Sequence, residues 1–280
     1  MRLIKSVEEM QQASLECRMM GRKIACVPTM GALHEGHLSL FEQAKESADV
    51  VVVSIFVNPT QFAPNEDFHS YPRDLDRDLG ICQEKAVDFV FLPEADDMYP
   101  PDHSFFVGEE EISKILCGVS RPNHFRGVST ICTKLFNIIL PDFVVVGMKD
   151  AQQAVLLNRL IRNLHFPIEL IVGPTVRDDD GLALSSRNMG LSESQRKEAL
   201  KIYQALCSAQ QLTEKGIINS DRLIAEVTNH LGQSLRLRVI YVKAVNLDDM
   251  KDVREVTSGQ TLLAVAVWMD QLRLIDNIVL

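Results

Sequence analysis

Short apolar, β-branched runs recur along the first 173 residues and alternate with segments of helix length. The predicted strands lie at residues 24–27, 50–57, 87–92, 143–146 and 168–172. Apolar residues between these runs recur at helical spacing. Such alternation is typical of βαβ units around a buried parallel sheet. We therefore predict an α/β fold with a Rossmann-like doubly wound parallel sheet over residues 1–175. Ligands of such sheets bind at the carboxyl ends of the strands.

The pattern changes after residue 174. A polar, Asp-rich loop over residues 176–188 precedes Ser192, and Gln195 follows three residues later. This spacing is a capping box, which predicts the start of a helix that runs to about Glu214. The later predicted elements are a helix at 221–231 and strands at 237–245, 261–268 and 272–275. Helices followed by strands indicate a smaller C-terminal α+β domain over residues 176–280, which we interpret as a lid.

Composition and charge exclude several classes of protein. The 29 basic and 38 acidic residues give a net charge of −9, so no positive excess is available for general binding of nucleic acid. No apolar run approaches the roughly 20 residues of a membrane-spanning helix. The N-terminus places Lys5, Glu8 and Glu9 where a secretory signal would be apolar. The six cysteines form no CxxC pair and indicate reduced core thiols, so we expect a cytoplasmic protein.

The sharpest chemical signal is PTMGALHEGHLSL at residues 28–40, which follows an apolar strand and opens a helix. Its HxGH tetrad runs from His34 to His37. A strand-to-helix turn directs backbone N–H groups and the positive end of the helix dipole toward one place, and two histidines three apart face the same way. That geometry is suited to binding phosphate. Two alternatives remain at this level: a pair of capping histidines, or a zinc site.

The tetrad and five further segments together resemble the pantothenate synthetase (pantoate–β-alanine ligase) family of the HxGH nucleotidyltransferase superfamily. The other segments are VNPTQF at 57–62, YPRD at 71–74, HFRGV at 124–128, GMKDAQQ at 147–153 and DGLALSSRN at 180–188. The ordered set extends over nearly the whole chain. It is therefore far more specific than any one segment.

The resemblance implies a homodimeric ligase that joins D-pantoate and β-alanine to give pantothenate, a precursor of coenzyme A. Pantoate and ATP, with Mg²⁺, would form pantoyl adenylate and pyrophosphate, and the amine of β-alanine would then displace AMP. A carboxylate nucleophile is already ionised at neutral pH, so the first step needs positioning and stabilisation of phosphate charge. We assign no metal ligand, because the alternating charges of Asp74, Asp76 and Asp78 are typical of a solvated helix face.

The resemblance also implies roles for individual residues. His34, His37 and Lys149 would be catalytic groups that donate to the phosphates, and His37 would be the proton donor. Gln61 would bind pantoate and β-alanine, and Gln153 would bind pantoate. The implied ATP contacts are Met30, Gly31, Ala32, Leu33, His34, Glu35, Gly36, His37, Gly147, Met148, Lys149, Asp150, Val176, Leu184, Ser185, Ser186 and Arg187.

Several of these positions also have simpler interpretations. Gln61 follows a strand and is either a ligand-binding amide or an exposed loop amide. Asp150 either caps a helix or meets ribose. Residues 184–187 belong either to a loop that closes over ATP or to a solvated linker. Met148 replaces the usual Glu or Gln of the family, and an extended chain there would direct its side chain away from ATP.

Two other functions compete with ligation. A cytidylyl- or adenylyltransferase would be expected to offer a basic site for an acceptor phosphate, whereas this chain offers Gln61 and Gln153. A regulatory nucleotide-binding module would be expected to lack Lys149 or one of the two histidines, and all are present. The role of Arg126 stays open. The apolar strand at 50–56, with Phe62 near its end, is compatible with a dimer interface.

Overall fold

A computed structural model describes residues 1–64 and 66–280, which form two compact units. The first unit comprises Met1–Lys114, Gly118–Met148 and Leu156–Pro174. The second comprises Ile115–Cys117, Lys149–Val155 and Thr175–Leu280. The single domain boundary between residues 175 and 176 stays a prediction. In the structure, the short segments Ile115–Cys117 and Lys149–Val155 also belong to the second unit.

The first unit is built on a six-stranded parallel sheet, which confirms the predicted Rossmann-like fold. Its strands are β1 (Arg2–Ile4), β2 (Ile24–Thr29), β3 (Val50–Ile55), β4 (Phe89–Phe91), β5 (Phe143–Gly147) and β6 (Glu169–Gly173). The spatial order is β1-β4-β3-β2-β5-β6. The strand order therefore reverses beside β2, which pairs with β3 on one side and with β5 on the other. Ligand-binding residues are expected after the ends of β2 and β5.

Seven helices lie between or beside these strands in the described residues. They are α1 (Val7–Met19), α2 (Glu35–Ser47), α3 (Leu75–Glu84), α4 (Ala95–Met98), α5 (Cys117–Ser120), α6 (His124–Ile139) and α7 (Ala151–Asn163). Strand β1 has no counterpart in the sequence prediction. It contributes only three residues, which pair with β4, and so short a run carries no readable alternation.

That the strand at 50–56 is compatible with a dimer interface stays a prediction, but its main chain is already paired within the sheet. All six residues of β3 are buried, and the strand is paired on both edges, with β2 and with β4. Such burial follows from its continuous β-branched sequence, which suits the interior of a parallel sheet. Phe62 instead packs edge-on against Phe68 and Tyr71, with ring centroids 5.4 and 5.9 Å away.

The second unit contains the predicted helices and an antiparallel sheet. These elements are α8 (Glu193–Glu214), α9 (Ser220–Gly232), β7 (Leu237–Asn246), β8 (Thr261–Met269) and β9 (Leu272–Val279), with strand order β7-β8-β9. The predicted capping box is present. Ser192 Oγ accepts from the Gln195 N–H at 3.3 Å, and Gln195 Oε1 accepts from the Ser192 N–H at 2.8 Å. Buried apolar side chains such as Leu206, Val227 and Val265 join both helices to the sheet.

All six cysteines are free thiols, and only Cys207 among them is partly exposed. Burial raises the pKa of the Cys132 thiol to about 12, so this side chain stays protonated at neutral pH. Among the described residues, no helix combines the length and the apolar character needed to cross a membrane.

Candidate active site

The HxGH tetrad forms the turn between β2 and α2, and its two histidines cap the helix reciprocally. His34 is the N-cap residue, and its Nδ1 accepts from the Gly36 N–H at 3.2 Å. The His34 N–H in turn donates to Nδ1 of His37 at 3.2 Å. The ring centroids are 4.1 Å apart. Two N–H groups that a helix start leaves unpaired are thus satisfied by imidazole nitrogens.

This arrangement sets the tautomer of both rings. A neutral imidazole that accepts through Nδ1 carries its proton on Nε2, so both histidines are Nε2–H donors at the positive end of the α2 dipole. The capping interpretation therefore describes the structure correctly and is compatible with phosphate binding. The zinc interpretation gains no support, since the described residues contain no group of three or more His, Cys, Asp or Glu able to hold a metal ion.

Asp78 binds the main chain immediately before the tetrad. The prediction that Asp78 lies on a solvated helix face is therefore wrong. The Asp78 side chain is buried, and its two oxygens accept from the N–H groups of Ala32 and Leu33, each at 2.8 Å. Gly31 has a φ of +77°, and a Cβ there would lie 2.8 Å from Asp78 Oδ2. The glycine is therefore required by both its φ and this close approach.

Gln61 lies on a short 3₁₀ helix, Pro59–Gln61, shortly after β3, and it is only 9% exposed. The alternative of an exposed loop amide is therefore wrong. Its Oε1 accepts from Asn58 Nδ2 at 3.2 Å, and its Nε2 contacts Met30 Sδ at 2.7 Å. Gly127 of α6 packs so closely that a Cβ there would lie 2.6 Å from the Gln61 nitrogen.

Arg121 and His124 fix the main chain of Gln61, and the sequence analysis gave neither of them a role. The Gln61 carbonyl accepts from Arg121 Nη2 at 3.3 Å and from His124 Nδ1 at 3.0 Å. Arg121 is buried and forms a two-pronged pair with Glu66, both bonds 2.5 Å long. Burial raises the pKa of the Glu66 carboxyl, but the bonds and charge of Arg121 outweigh that effect and lower it overall.

Arg126, whose role the sequence left open, is exposed. Its guanidinium carbon lies 3.9 Å from the centroid of the Phe106 ring. This is a cation–π contact at the surface of the first unit. Within the HFRGV segment, His124 and not Arg126 contacts the predicted substrate-binding glutamine.

Gly147 ends β5, and Lys149 lies in the 3₁₀ turn Met148–Asp150 that follows. The Lys149 carbonyl accepts from Asn277 Nδ2 at 3.0 Å. Its ammonium makes no hydrogen bond or ion pair with any other residue that the structure describes. Asp150 is exposed directly before α7. A phosphate-binding role for Lys149 is therefore compatible with its position after a strand end.

The premise used for Met148 is wrong, because the chain is no longer extended there. Strand β5 ends at Gly147, and successive side chains of a 3₁₀ turn are about 120° apart instead of alternating. The side chain of Met148 is half-buried. The alternation of side-chain directions along a strand therefore does not apply at Met148.

The two neighbouring glutamines of α7 differ in environment. Gln152 is buried: its Oε1 accepts from the Cys117 N–H at 3.0 Å, and its Nε2 donates to the Ile115 carbonyl at 2.7 Å. Gln153 is half-buried, and its amide makes no hydrogen bond to any other described residue. This difference is consistent with Gln152 serving the fold and Gln153 serving a ligand.

Main-chain hydrogen bonds and a short 3₁₀ turn shape the predicted ATP loop of the second unit. Arg177 and Ala183 form an antiparallel bridge, and the Leu184 N–H donates to the Val176 carbonyl at 3.0 Å. Beyond this hairpin, Ser185 caps a 3₁₀ turn, Ser186–Gly190, by accepting from the Arg187 N–H at 3.3 Å. The residues expected to contact ATP therefore occupy defined backbone positions.

Comparison with known proteins gives a consistent result over the full length. The profile of the Pantoate-beta-alanine ligase family matches residues 2–279. A pantothenate synthetase of Thermosipho melanesiensis is 50% identical over 279 residues, which is 100% of this chain and 99% of the relative. One from Thermotoga neapolitana is 48% identical over 280 residues, with both chains covered completely.

Two solved structures have the same architecture. The pantothenate synthetase of Thermus thermophilus superimposes with a TM-score of 0.94 at 37% identity, covering 99% of each chain. The pantoate–β-alanine ligase of Francisella tularensis superimposes with a TM-score of 0.82 at 33% identity, covering 100% of this chain and 97% of that one. The Francisella structure contains β,γ-ATP and β-alanine.

Proposed function

The chain belongs to the pantoate–β-alanine ligase family, an ATP-utilising family that forms pantothenate, and we propose that its ligation runs through a pantoyl-adenylate intermediate. The observation that carries this proposal is the reciprocal histidine cap. Through this cap, two Nε2–H donors and the positive end of the α2 dipole lie directly after β2. The order of the strands in the sheet reverses beside β2. Donors of this kind suit an ATP phosphate.

In the proposed first step, the pantoate carboxylate attacks the α-phosphorus of ATP. The bond between the α-phosphorus and the bridging oxygen breaks, and pyrophosphate leaves with the electron pair. His34, His37 and Lys149 stabilise the charge that develops on the phosphate oxygens, and His37 is the proton donor. The implied ATP contacts after β2 and β5, together with Val176 and Leu184–Arg187, bind ATP, while Gln61 and Gln153 orient pantoate.

In the proposed second step, the neutral amine of β-alanine attacks the carbonyl carbon of pantoyl adenylate. The amide bond forms, the bond from the acyl carbon to the phosphate oxygen breaks, and AMP leaves. The amine loses its proton to solvent or to a nearby acceptor. The Gln61 amide, fixed by Asn58 and Met30, is proposed to contact both acid substrates.

We propose that Mg²⁺ enters with ATP. Mg²⁺ usually binds one or two carboxylates together with substrate phosphates and retains several waters. Asp78 does not fit as a ready ligand, because both of its oxygens already accept main-chain N–H groups. When bound with ATP, Mg²⁺ would supply positive charge that helps neutralise the phosphates. The hydrogen-bond donors of this chain would be His34, His37 and Lys149.

Three broader proposals accompany the reaction. A homodimer is supported by the family resemblance alone, and light scattering would test it. A cytoplasmic location is supported by six free thiols. A lid role for residues 176–280 would be tested by comparing hydrogen exchange with and without ATP.

The reaction itself is tested by incubating the protein with ATP, Mg²⁺ and D-pantoate, with and without β-alanine, and identifying the products by mass. We expect pantothenate and AMP only when β-alanine is present. An adenylyltransferase would release a stable nucleotide adduct without making an amide. A regulatory module would leave all substrates unchanged.

A further inference from the structure

Two consecutive buried polar residues interrupt the apolar strand β9. Asp276 and Asn277 are 4% and 6% exposed, within a strand of sequence LRLIDNIV. Burying a carboxylate and an amide is costly unless both are hydrogen-bonded. Their partners therefore explain what the pair does.

Asp276 anchors the predicted ATP loop through Arg177. Its Oδ2 and Oδ1 accept from Arg177 Nη1 and Nη2 at 2.7 and 2.9 Å. The same guanidinium donates to the Gly181 carbonyl at 3.2 Å, and its carbon lies 3.9 Å from the centroid of the Tyr203 ring. Two-pronged pairing and stacking fix the guanidinium plane as well as its position. The hairpin that leads to Leu184–Arg187 is thereby tied to β9.

Asn277 anchors the predicted phosphate-binding lysine. Its Nδ2 donates to the Lys149 carbonyl at 3.0 Å, and its own N–H donates to Asp276 Oδ1 at 2.8 Å. The two residues are adjacent in the strand, so one short segment of β9 holds both the Lys149 turn and the 176–184 hairpin.

We propose that Asp276 and Asn277 are positioning residues that fix two ATP-binding segments of the second unit, the Lys149 turn and the 176–184 hairpin, relative to β9. Asn277 acts through the main chain of Lys149, and Asp276 acts through Arg177 on the loop that carries Ser185 and Arg187. This inference rests on the proposed function, in which those segments contact ATP. A donor that is already in place stabilises transition-state charge without reorganisation at the moment of reaction.

The test compares Asn277→Leu with a matched control, Thr261→Val. Thr261 is also buried in this sheet, and its Oγ1 accepts from the Thr257 N–H at 2.9 Å, so both changes remove a buried side-chain hydrogen bond to the main chain. The readouts are pantoate-dependent exchange of labelled pyrophosphate into ATP, binding of Mg²⁺·α,β-methylene-ATP by calorimetry, and Tm. Asp276→Asn is measured in the same way.

We expect Asn277→Leu to lower kcat for exchange on the order of tenfold, with the pantoate KM unchanged within about twofold. It should weaken binding of the ATP analogue about fivefold in the parent, but by less than about twofold in a Lys149→Ala background, because it acts through that lysine. Asp276→Asn should raise the KM for ATP more than that for pantoate. Thr261→Val should lower Tm without either kinetic effect.

Equal effects of Asn277→Leu and Thr261→Val on exchange and analogue binding would overturn the positioning role. The positioning role would also be overturned if Asn277→Leu weakened binding of the ATP analogue as much in the Lys149→Ala background as in the parent. Failure of the proposed function is a separate result, because the parent protein would then show no pantoate-dependent exchange. Should Asn277→Leu not fold, Asn277→Ser, which keeps a shorter donor, is expected to show an intermediate loss in the same readouts.

Discussion

His34 and His37 each accept a main-chain N–H of the α2 start through Nδ1, and in both contacts the nitrogens are 3.2 Å apart. Helix capping and ligand chemistry are therefore divided between the two nitrogens of each ring. Nδ1 stabilises the helix start and Nε2 carries the proton that can be donated. Substitution of either histidine consequently affects both stability and activity unless the replacement keeps the acceptor.

This division predicts different outcomes for two substitutions at position 37. His37→Ala removes the cap acceptor and the donor, so it should cost about 0.5–2 kcal/mol of stability and at least about 100-fold in turnover. His37→Glu keeps an acceptor at the third helical position but has no donor, so it should lose activity with little change in Tm. The measurements are kcat at saturating ATP and thermal unfolding. Near-normal kcat in His37→Glu would show that the Nε2–H is not used.

The two glutamines of α7 provide an internal comparison for substrate binding. Gln153→Ala should weaken pantoate use by roughly 1–3 kcal/mol and affect ATP use much less, because a site built on hydrogen bonds is left with unpaired groups. Gln152→Ala should lower the free energy of unfolding, since it frees the Ile115 and Cys117 main-chain groups, with no selective effect on pantoate. Steady-state KM values for both substrates and urea unfolding distinguish these effects. An equal loss for ATP and pantoate in Gln153→Ala would contradict the assignment.

Asp78→Asn tests whether the buried carboxylate sets the turn before the tetrad. The amide that replaces one oxygen would face the N–H of Ala32 or Leu33, and two donors cannot pair. We expect a loss of about 1–3 kcal/mol in stability, together with a higher KM for ATP. Asp76→Asn, an exposed position of the same helix, is the control and should change neither. If Asp78→Asn matched this control, Asp78 would have no positioning role.

The pair between Arg121 and Glu66 predicts a pH dependence of stability. The pKa of Glu66 is lower in the folded state than its ordinary value of 4.5, because the arginine bonds outweigh the effect of burial. The pair's stabilisation is therefore complete above that ordinary pKa and is lost as pH falls through the lower folded value. Urea midpoints should fall more steeply below about pH 4.5 in the parent than in Glu66→Gln. Parallel pH profiles would contradict this interpretation.

Local signals in the sequence were enough for most of the fold. Apolar β-branched runs indicated five strands of the parallel sheet, and Ser192 with Gln195 marked the start of α8. The local charge pattern fails at Asp78 because the partners of this carboxylate, Ala32 and Leu33, lie 46 and 45 residues earlier in the chain. A signal was available, since Asp78 is one helical turn before buried Cys82 and so shares its face. Arg121 bonds residues 60 and 55 positions away, and no local pattern encodes such a contact.

Exchange of labelled pyrophosphate into ATP, with pantoate present and β-alanine absent, tests the two-step account most directly. Adenylation precedes attack by the amine and does not require it, so reversal of the first step should return label to ATP. We expect exchange that depends on pantoate and Mg²⁺ and that falls at least about 100-fold in Lys149→Ala. Exchange that appears only when β-alanine is added would contradict the adenylate intermediate and would require a concerted reaction of all three substrates.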